Sequence, residues 1–274
     1  MILSERARSD FLQNGWVRLR NVIPQPLCEN LLYALRDDLN VPIDDSARWN
    51  EYGPEGKDRI AVWGHQTQWD IRQSPEFYSA WAELWQDEAL FVTLDSCRFT
   101  PPWQPGFPEP DSIHFDVDPW NDRAQTLQGV IALRDTAADQ GGFCCVPSLY
   151  QDRSRWPQDK VKDDVTGKEY WRPDVLPDEV LHIPAETGDL IVWSSRLPHS
   201  NSKNLSNRPR IAFYAATLPA RRNEHVRSIL TKSWSTGTCV PWWRGRLGFD
   251  KTEPWPPANL TSLGRRLVGL DAWG

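Results

Sequence analysis

The stretch GDLIVWSSRLPHSNSKNLSNRPRIAFY, residues 188–214, reads as strand, polar loop and strand. Gly188 and Asp189 make an entry turn, and LIVW supplies the β-branched and aromatic side chains that suit a pleated surface. A short piece then runs to His199, Ser, Asn and Lys fill the loop, and a second strand opens at Arg210 directly behind Pro209. Upstream, short apolar runs punctuated by Gly, Pro, Asn and Asp recur in FVTLDSCRF (91–99), SIHFDVD (112–118), TLQGVIAL (126–133), GFCCVP (142–147) and VLHIP (180–184). RIAFYAATL (210–218) ends the series. Such strands predict a mainly β protein with covering helices, built as a double-stranded β-helix of the jelly-roll, cupin-like kind.

The covering helices are expected near the N-terminus. Ser4 caps a first helix that carries Ala7, Phe11 and Leu12 on one side and ends at Gly15. WVRLR follows as a strand. Pro24 and Pro26 open a second helix striped by Leu27, Leu31, Leu35 and Leu39, and Ser74-Pro75 open a third with Phe77, Ala80, Trp81 and Leu84 inward. The chain is therefore read as a single domain over 1–274. Residues 1–89 form a helical wrap with the first strand, 90–218 the jelly-roll core, and 219–274 a C-terminal extension without a clear period. Residues 153–178 (RSRWPQDKVKDDVTGKEYWRPDVLPD) are polar and charged and interrupt the strands; such an insertion serves either as a lid or as a solvated loop.

Composition narrows the function. The net charge of −6 removes the attraction that drives binding to phosphate backbones, so nucleic acid is not an expected partner. No apolar run reaches the roughly 18 residues of a membrane span, and MILSERARSDFL places charge where an export signal is apolar, so a cytoplasmic protein off the membrane is expected. The five cysteines lack CxxC spacing and read as reduced packing thiols. Sixteen tryptophans are many; most should pack the sheet, with Trp63, Trp120 and Trp193 as possible pocket walls.

In SIHFDVD, His114 and Asp116 stand two apart on an expected strand, so both side chains leave one face and can share a cation. One further histidine, from His65, His182, His199 and His225, would complete a two-His, one-carboxylate triad with open positions for substrate and oxygen. Asp118 shares the same face, but Pro119 ends the strand there and leaves Asp118 at the mouth. Gln128 lies on a strand that should face the interior and is a candidate for holding a co-substrate.

The arrangement resembles the phytanoyl-CoA dioxygenase family, in which HxD is followed by a distal His and, eleven residues later, by an Arg opening a strand. Here the distal His is His199 and the Arg is Arg210, eleven positions on. FLQNGWVRLRNVIP resembles the family's opening helix and strand, and DQGGFCCVPSLY its later turn and strand, with Ser148 and Tyr150 in place of the usual Gly and His. The resemblance covers residues 10 to 218 in blocks. It implies iron(II) held by His114, Asp116 and His199, with 2-oxoglutarate as co-substrate and molecular oxygen as oxidant. Arg210 then takes the far carboxylate, and Asn201 stands beside it. An Arg suits that task as a planar, two-pronged donor. Arg208 has the same strand parity but sits at the loop edge.

The expected activity is hydroxylation of a small, partly apolar metabolite with release of succinate and carbon dioxide. Two other readings use the same residues: a zinc hydrolase, since three ligands plus water also describe catalytic zinc, and a catalytically silent barrel serving as a binding module.

Overall fold

The computed structural model describes residues 3–52, 59–107, 109–110, 112–122, 126–162, 169–244 and 255–274. Its strands, in chain order, are β1 (Trp16–Leu19), β2 (Arg59–Ile60), β3 (Leu90–Val92), β4 (Cys97–Thr100), β5 (Leu127–Ala132), β6 (Phe143–Cys145), β7 (Val161–Lys162), β8 (Glu169–Tyr170), β9 (Leu181–His182), β10 (Leu190–Ser194), β11 (His199–Asn201), β12 (Arg210–Tyr214) and β13 (Thr217–Pro219). The helices are α1 (Glu5–Asn14), α2 (Gln25–Tyr33), α3 (Gln66–Arg72), α4 (Pro75–Trp85), α5 (Ser148–Gln151), α6 (Arg227–Thr236) and α7 (Ser262–Leu267).

Local chemistry sets the helix ends. The Ser4 hydroxyl accepts from the Ala7 N–H, and Gly15 takes the left-handed conformation, φ 76°, that ends α1. Ser74 caps α4 in the same way, with Pro75 in the first turn. Leu12, expected inward, is 64% exposed; Ala7 and Phe11 alone of that set pack against the core. The entry turn before β10 is held by the buried Asp189, which accepts from the Glu186 and Asn21 N–H groups and from Arg18 Nε. Gly188 has φ 87°, and a Cβ there would lie 2.5 Å from the Ile23 carbonyl oxygen, so glycine is required.

A six-stranded antiparallel sheet runs in the order β1-β10-β5-β12-β4-β2, and a three-stranded one in the order β11-β6-β9. Alternation along the strands divides the large sheet into two faces. Leu127, Ile131, Leu190, Val192, Ile211 and Phe213 join the main core with the helices. Gly129 lies so close to Trp81 that a Cβ would sit 2.6 Å from the indole, which brings α4 onto β5. The opposite face, with Val130, Ala132, Ile191, Trp193 and Ala212, packs against Phe143 and Cys145 of the small sheet and Ile183 just beyond it, making a second core between the layers. The site lies at this interlayer.

Among the described residues, strand pairing does not close the two sheets into a barrel. One reason is SIHFDVD: it is not a strand but makes two isolated bridges, His114 to His199 and Phe115 to Trp171. The C-terminal extension, left unassigned by pattern, returns to the helical layer. There Gln73 binds the backbone of Asn259 and Thr261, and Trp273 Nε1 donates to the Leu90 carbonyl. The described helices include none long and apolar enough to cross a membrane.

Candidate metal centre

His199 is the first residue of β11, and its bridge to His114 brings the two segments together through mutual N–H to carbonyl bonds of 3.2 and 3.1 Å. Each imidazole turns Nδ1 to a backbone carbonyl two residues earlier, His114 to Ser112 and His199 to Leu197, both at 2.8 Å. That contact orients both rings and leaves both Nε2 atoms facing Asp116, at 3.5 Å from Oδ1 for His114 and 3.0 Å from Oδ2 for His199. The three ligand atoms lie within 4.8 Å of one another, and among the described residues this is the one such group of three. Burial pushes the Asp116 carboxyl up, but the charge of His199 and hydrogen bonds from both imidazoles outweigh it and hold the group well below the usual carboxylate range. The donor set fits a divalent cation: two oriented imidazole nitrogens and an ionised carboxylate, with 34% of the Asp116 side chain still accessible on the open side.

The other expected residues gather around this group. Gln128 donates from its amide to Asp116 Oδ2, so it touches the ligand carboxylate. Trp193, its neighbour across β10 and β5, lies 5.2 Å from the His199 ring and 4.5 Å from Phe143, forming a dry wall. Asn201 and His199 share a face of β11, and Asn201 Oδ1 accepts from Arg210 Nη1 at 3.1 Å. Arg210 is 3% exposed, and no carboxylate of the described residues pairs with it. A space of about 250 Å³ lies beside it, lined by Val130, Ala132, Phe143, Ile191 and Ala212 among others. Arg208 is exposed at the loop. Asp118 is not with the ligands; its carboxylate accepts from the Trp120 N–H in a turn. Trp63 is in the helical core, away from this group, and Trp120 is 40% exposed with its ring on Trp156.

Sequence reasoning missed two neighbours, Tyr214 and Arg98. Tyr214 donates to Asn201 Oδ1 at 3.0 Å; its even spacing from Arg210 along one strand was the available signal. Arg98 reaches the same phenol only through cross-strand register. Tyr170, one of the aromatic residues of the insertion, sets its ring 5.4 Å from that of His114. The insertion is not a free loop in its described part. Trp156 is 4% exposed against Phe115, and Trp171 pairs with Phe115 through backbone; residues 163–168 lie outside the described residues.

Two histidines and one carboxylate converging on a single point, near a buried arginine that has no carboxylate partner among the described residues, fit the donor set of a non-haem iron oxygenase. Residues 11–212 match the family model of phytanoyl-CoA dioxygenase (PhyH), and the chain belongs to that family. A candidate phytanoyl-CoA dioxygenase of Dictyostelium discoideum is 22% identical over 266 residues, covering 79% of this chain and 76% of that protein. Among solved structures, the Escherichia coli protein JW0805 is 18% identical, with a TM-score of 0.68 over 98% of this chain and 82% of its own. The epimerase SnoN, solved with Fe3+, alpha-ketoglutarate and nogalamycin RO, is 20% identical, with a TM-score of 0.56 over 79% of this chain and 83% of its own. At these identities the structural likeness is one of fold. Enzymes of the phytanoyl-CoA dioxygenase family use iron(II) and 2-oxoglutarate.

Proposed function

We propose that this chain is an iron(II)- and 2-oxoglutarate-dependent dioxygenase that hydroxylates a small, partly apolar metabolite, its two sheets forming the core of a double-stranded β-helix within one oxygenase domain. The observation that carries the reading is the convergence of His114 Nε2, Asp116 and His199 Nε2 within 4.8 Å. Bound there, iron(II) with 2-oxoglutarate supplies the chemistry for oxygen-dependent C–H oxidation, with succinate and carbon dioxide as co-products.

The chain's residues have separable tasks. His114, Asp116 and His199 hold the metal, and the Ser112 and Leu197 carbonyls keep both rings turned with Nε2 outward. Gln128 fixes the rotation of the Asp116 carboxylate. Arg210 and Asn201 receive the far carboxylate of 2-oxoglutarate, which gives the buried guanidinium the anion it lacks among the described residues. Trp193 and Phe143 exclude water from one side, and Tyr170 from the insertion bounds the other. With Asp116 as a ligand, the position a halide would need is filled, which favours hydroxylation over halogenation.

Anaerobic titration with iron(II) and 2-oxoglutarate tests the reading. A weak visible charge-transfer band is expected in the wild type and is lost in His114→Ala and His199→Ala together with iron binding. No band in the wild type, with tight zinc binding and hydrolytic turnover instead, would replace the oxygenase by the zinc enzyme.

A further inference from the structure

We propose that Trp156, from the insertion, is a positioning residue for the metal: its ring holds the segment carrying His114 and Asp116 against the segment carrying His199. The proposal rests on the reading of these three residues as metal ligands and needs nothing of the chemistry that follows.

The ligand segment needs such a support. His114 and Asp116 stand on a stretch without a ladder, whose two isolated bridges go to His199 and Trp171. Single bridges fix a backbone less firmly than a ladder does, yet the Asp116 carboxylate meets two imidazoles at once. Phe115, between the two ligands, supplies the missing hold. It is 1% exposed but belongs to neither of the two cores. Its ring packs instead on Trp156, edge-on at 65° with centres 5.6 Å apart. Trp156 is 4% exposed and likewise outside both cores.

The indole is itself anchored. Nε1 donates to the carbonyl of the fully buried Leu149 in α5 at 2.7 Å, and the Trp156 N–H donates to the Arg153 carbonyl at 3.1 Å. Trp120, beyond Asp116 in the chain, sets its ring 5.4 Å from the same indole and donates from Nε1 to the Pro157 carbonyl at 2.8 Å. The ligand segment thus leans on residues 156 and 157 from both ends. The anchors of Trp156 lie on its own side of the insertion, so a cut beyond it leaves them in place.

The other ligand-bearing segment reaches the same ring. The Arg196 guanidinium carbon lies 6.0 Å from the Trp156 ring centre, and Arg196 directly precedes Leu197, whose carbonyl orients His199. Arg196 Nη2 also donates to Asp122, and Arg153 lies over the indole at 5.1 Å and 3.9 Å from the same carboxylate. Asp122 is 75% exposed, so water and salt screen these ion pairs; the buried indole carries the contact. One side chain therefore touches both segments that bring ligands to the metal. Such coupling is reciprocal: if docked Trp156 tightens metal binding, bound metal holds Trp156 docked by the same factor.

Cobalt(II) titration of EDTA-treated full-length protein, followed by visible absorption, tests the first half. Trp156→Leu should weaken cobalt(II) at least about tenfold, the low end of what groups behind metal ligands are worth. Trp156→Phe, which keeps a ring against Phe115, should recover most of the loss. Leu267→Ala, in the helical core, should lower the melting temperature and leave cobalt(II) affinity unchanged. Amide hydrogen exchange of the wild type tests the second half and depends on no variant. Saturating cobalt(II) should slow exchange at the Trp156 amide about tenfold and leave the Arg48 amide, in the helical layer, unmoved. Unchanged cobalt(II) affinity in Trp156→Leu, or a Trp156 amide indifferent to the metal, would overturn the proposal. So would affinity that falls with melting temperature equally in Trp156→Leu and Leu267→Ala, which marks a merely structural role. A wild type that binds no cobalt(II) would remove the ligand reading and the proposal with it. Cobalt(II) binding that depends on Trp156, without a visible band from iron(II) and 2-oxoglutarate, would keep the anchor and remove the oxygenase.

Discussion

At the residue scale, Arg210 and Arg208 separate cleanly, because they share strand parity yet Arg210 is buried beside Asn201 and Arg208 is exposed. Arg210→Ala should raise the 2-oxoglutarate requirement by the roughly 2–5 kcal/mol that loss of one partner of a buried charge pair costs, and Arg208→Ala should do much less. Reversed order in the two dissociation constants would move the co-substrate to the loop edge. Tyr214 gives a pH signature. Its phenol ionises below the ordinary range because Arg210 and Arg98 outweigh burial, whereas at the Cys144 thiol burial outweighs the lowering by the Ser200 backbone and Arg210, pushes it up to about 11 and keeps it neutral meanwhile. A phenolate would repel a bound carboxylate, so succinate affinity should fall as pH rises, before free phenols titrate, and the early fall should vanish in Tyr214→Phe. Absorbance at the phenolate band checks it: saturating succinate should delay ionisation, and no delay would refute the coupling. The proximity of His114 and Asp116 was legible in the sequence because the two stand two positions apart, and Arg210 was singled out through the family resemblance. Arg98 was not, because its place depends on the pairing of two strands more than a hundred residues apart.

At the element scale, the strands that read most clearly are those with one face on each core, such as β5, β10 and β12, where both layers demand apolar residues. SIHFDVD misled because, despite its alternation, it makes only two isolated bridges, without a ladder. The helix α3 went unread since Gln68 and Arg72 are fully buried in it, and buried polar residues erase the apolar stripe that marks a helix. The insertion was open between lid and solvated loop, and its described part touches the site through Tyr170 and Trp171. Arg155 and Glu179 staple its two ends at 2.6 Å. Proteolytic cutting between Arg155 and Glu179 should therefore spare iron and 2-oxoglutarate binding but uncouple decarboxylation from substrate oxidation, because the wall over His114 is lost. The ratio of succinate to oxidised product in intact and cut enzyme decides; an unchanged ratio with unchanged substrate affinity returns the segment to a surface loop.

At the scale of the whole molecule, the candidate metal group and the C-terminal extension lie on opposite sides of the large sheet. Leu267 and Val268 of the extension are fully buried in the helical core, and Arg227 Nε holds the Gly269 carbonyl at 2.6 Å. The interlayer core holding Trp193, Phe143 and Ala212 is a separate cluster. Stability and ligand geometry should then respond to different residues, because sites that share no partners usually act independently. Leu267→Ala removes a fully buried side chain from a packed core and should cost about 2–5 kcal/mol, the usual range for such a cavity. Iron affinity measured well below the melting transition should stay unchanged, since neither β11 nor the His114 bridge contacts that cavity. Denaturant unfolding gives the first quantity and an anaerobic iron titration at low temperature the second. If iron affinity fell in step with stability while the variant remained folded, the helical layer would be part of what positions the ligands, and the large sheet would transmit strain from one face to the other.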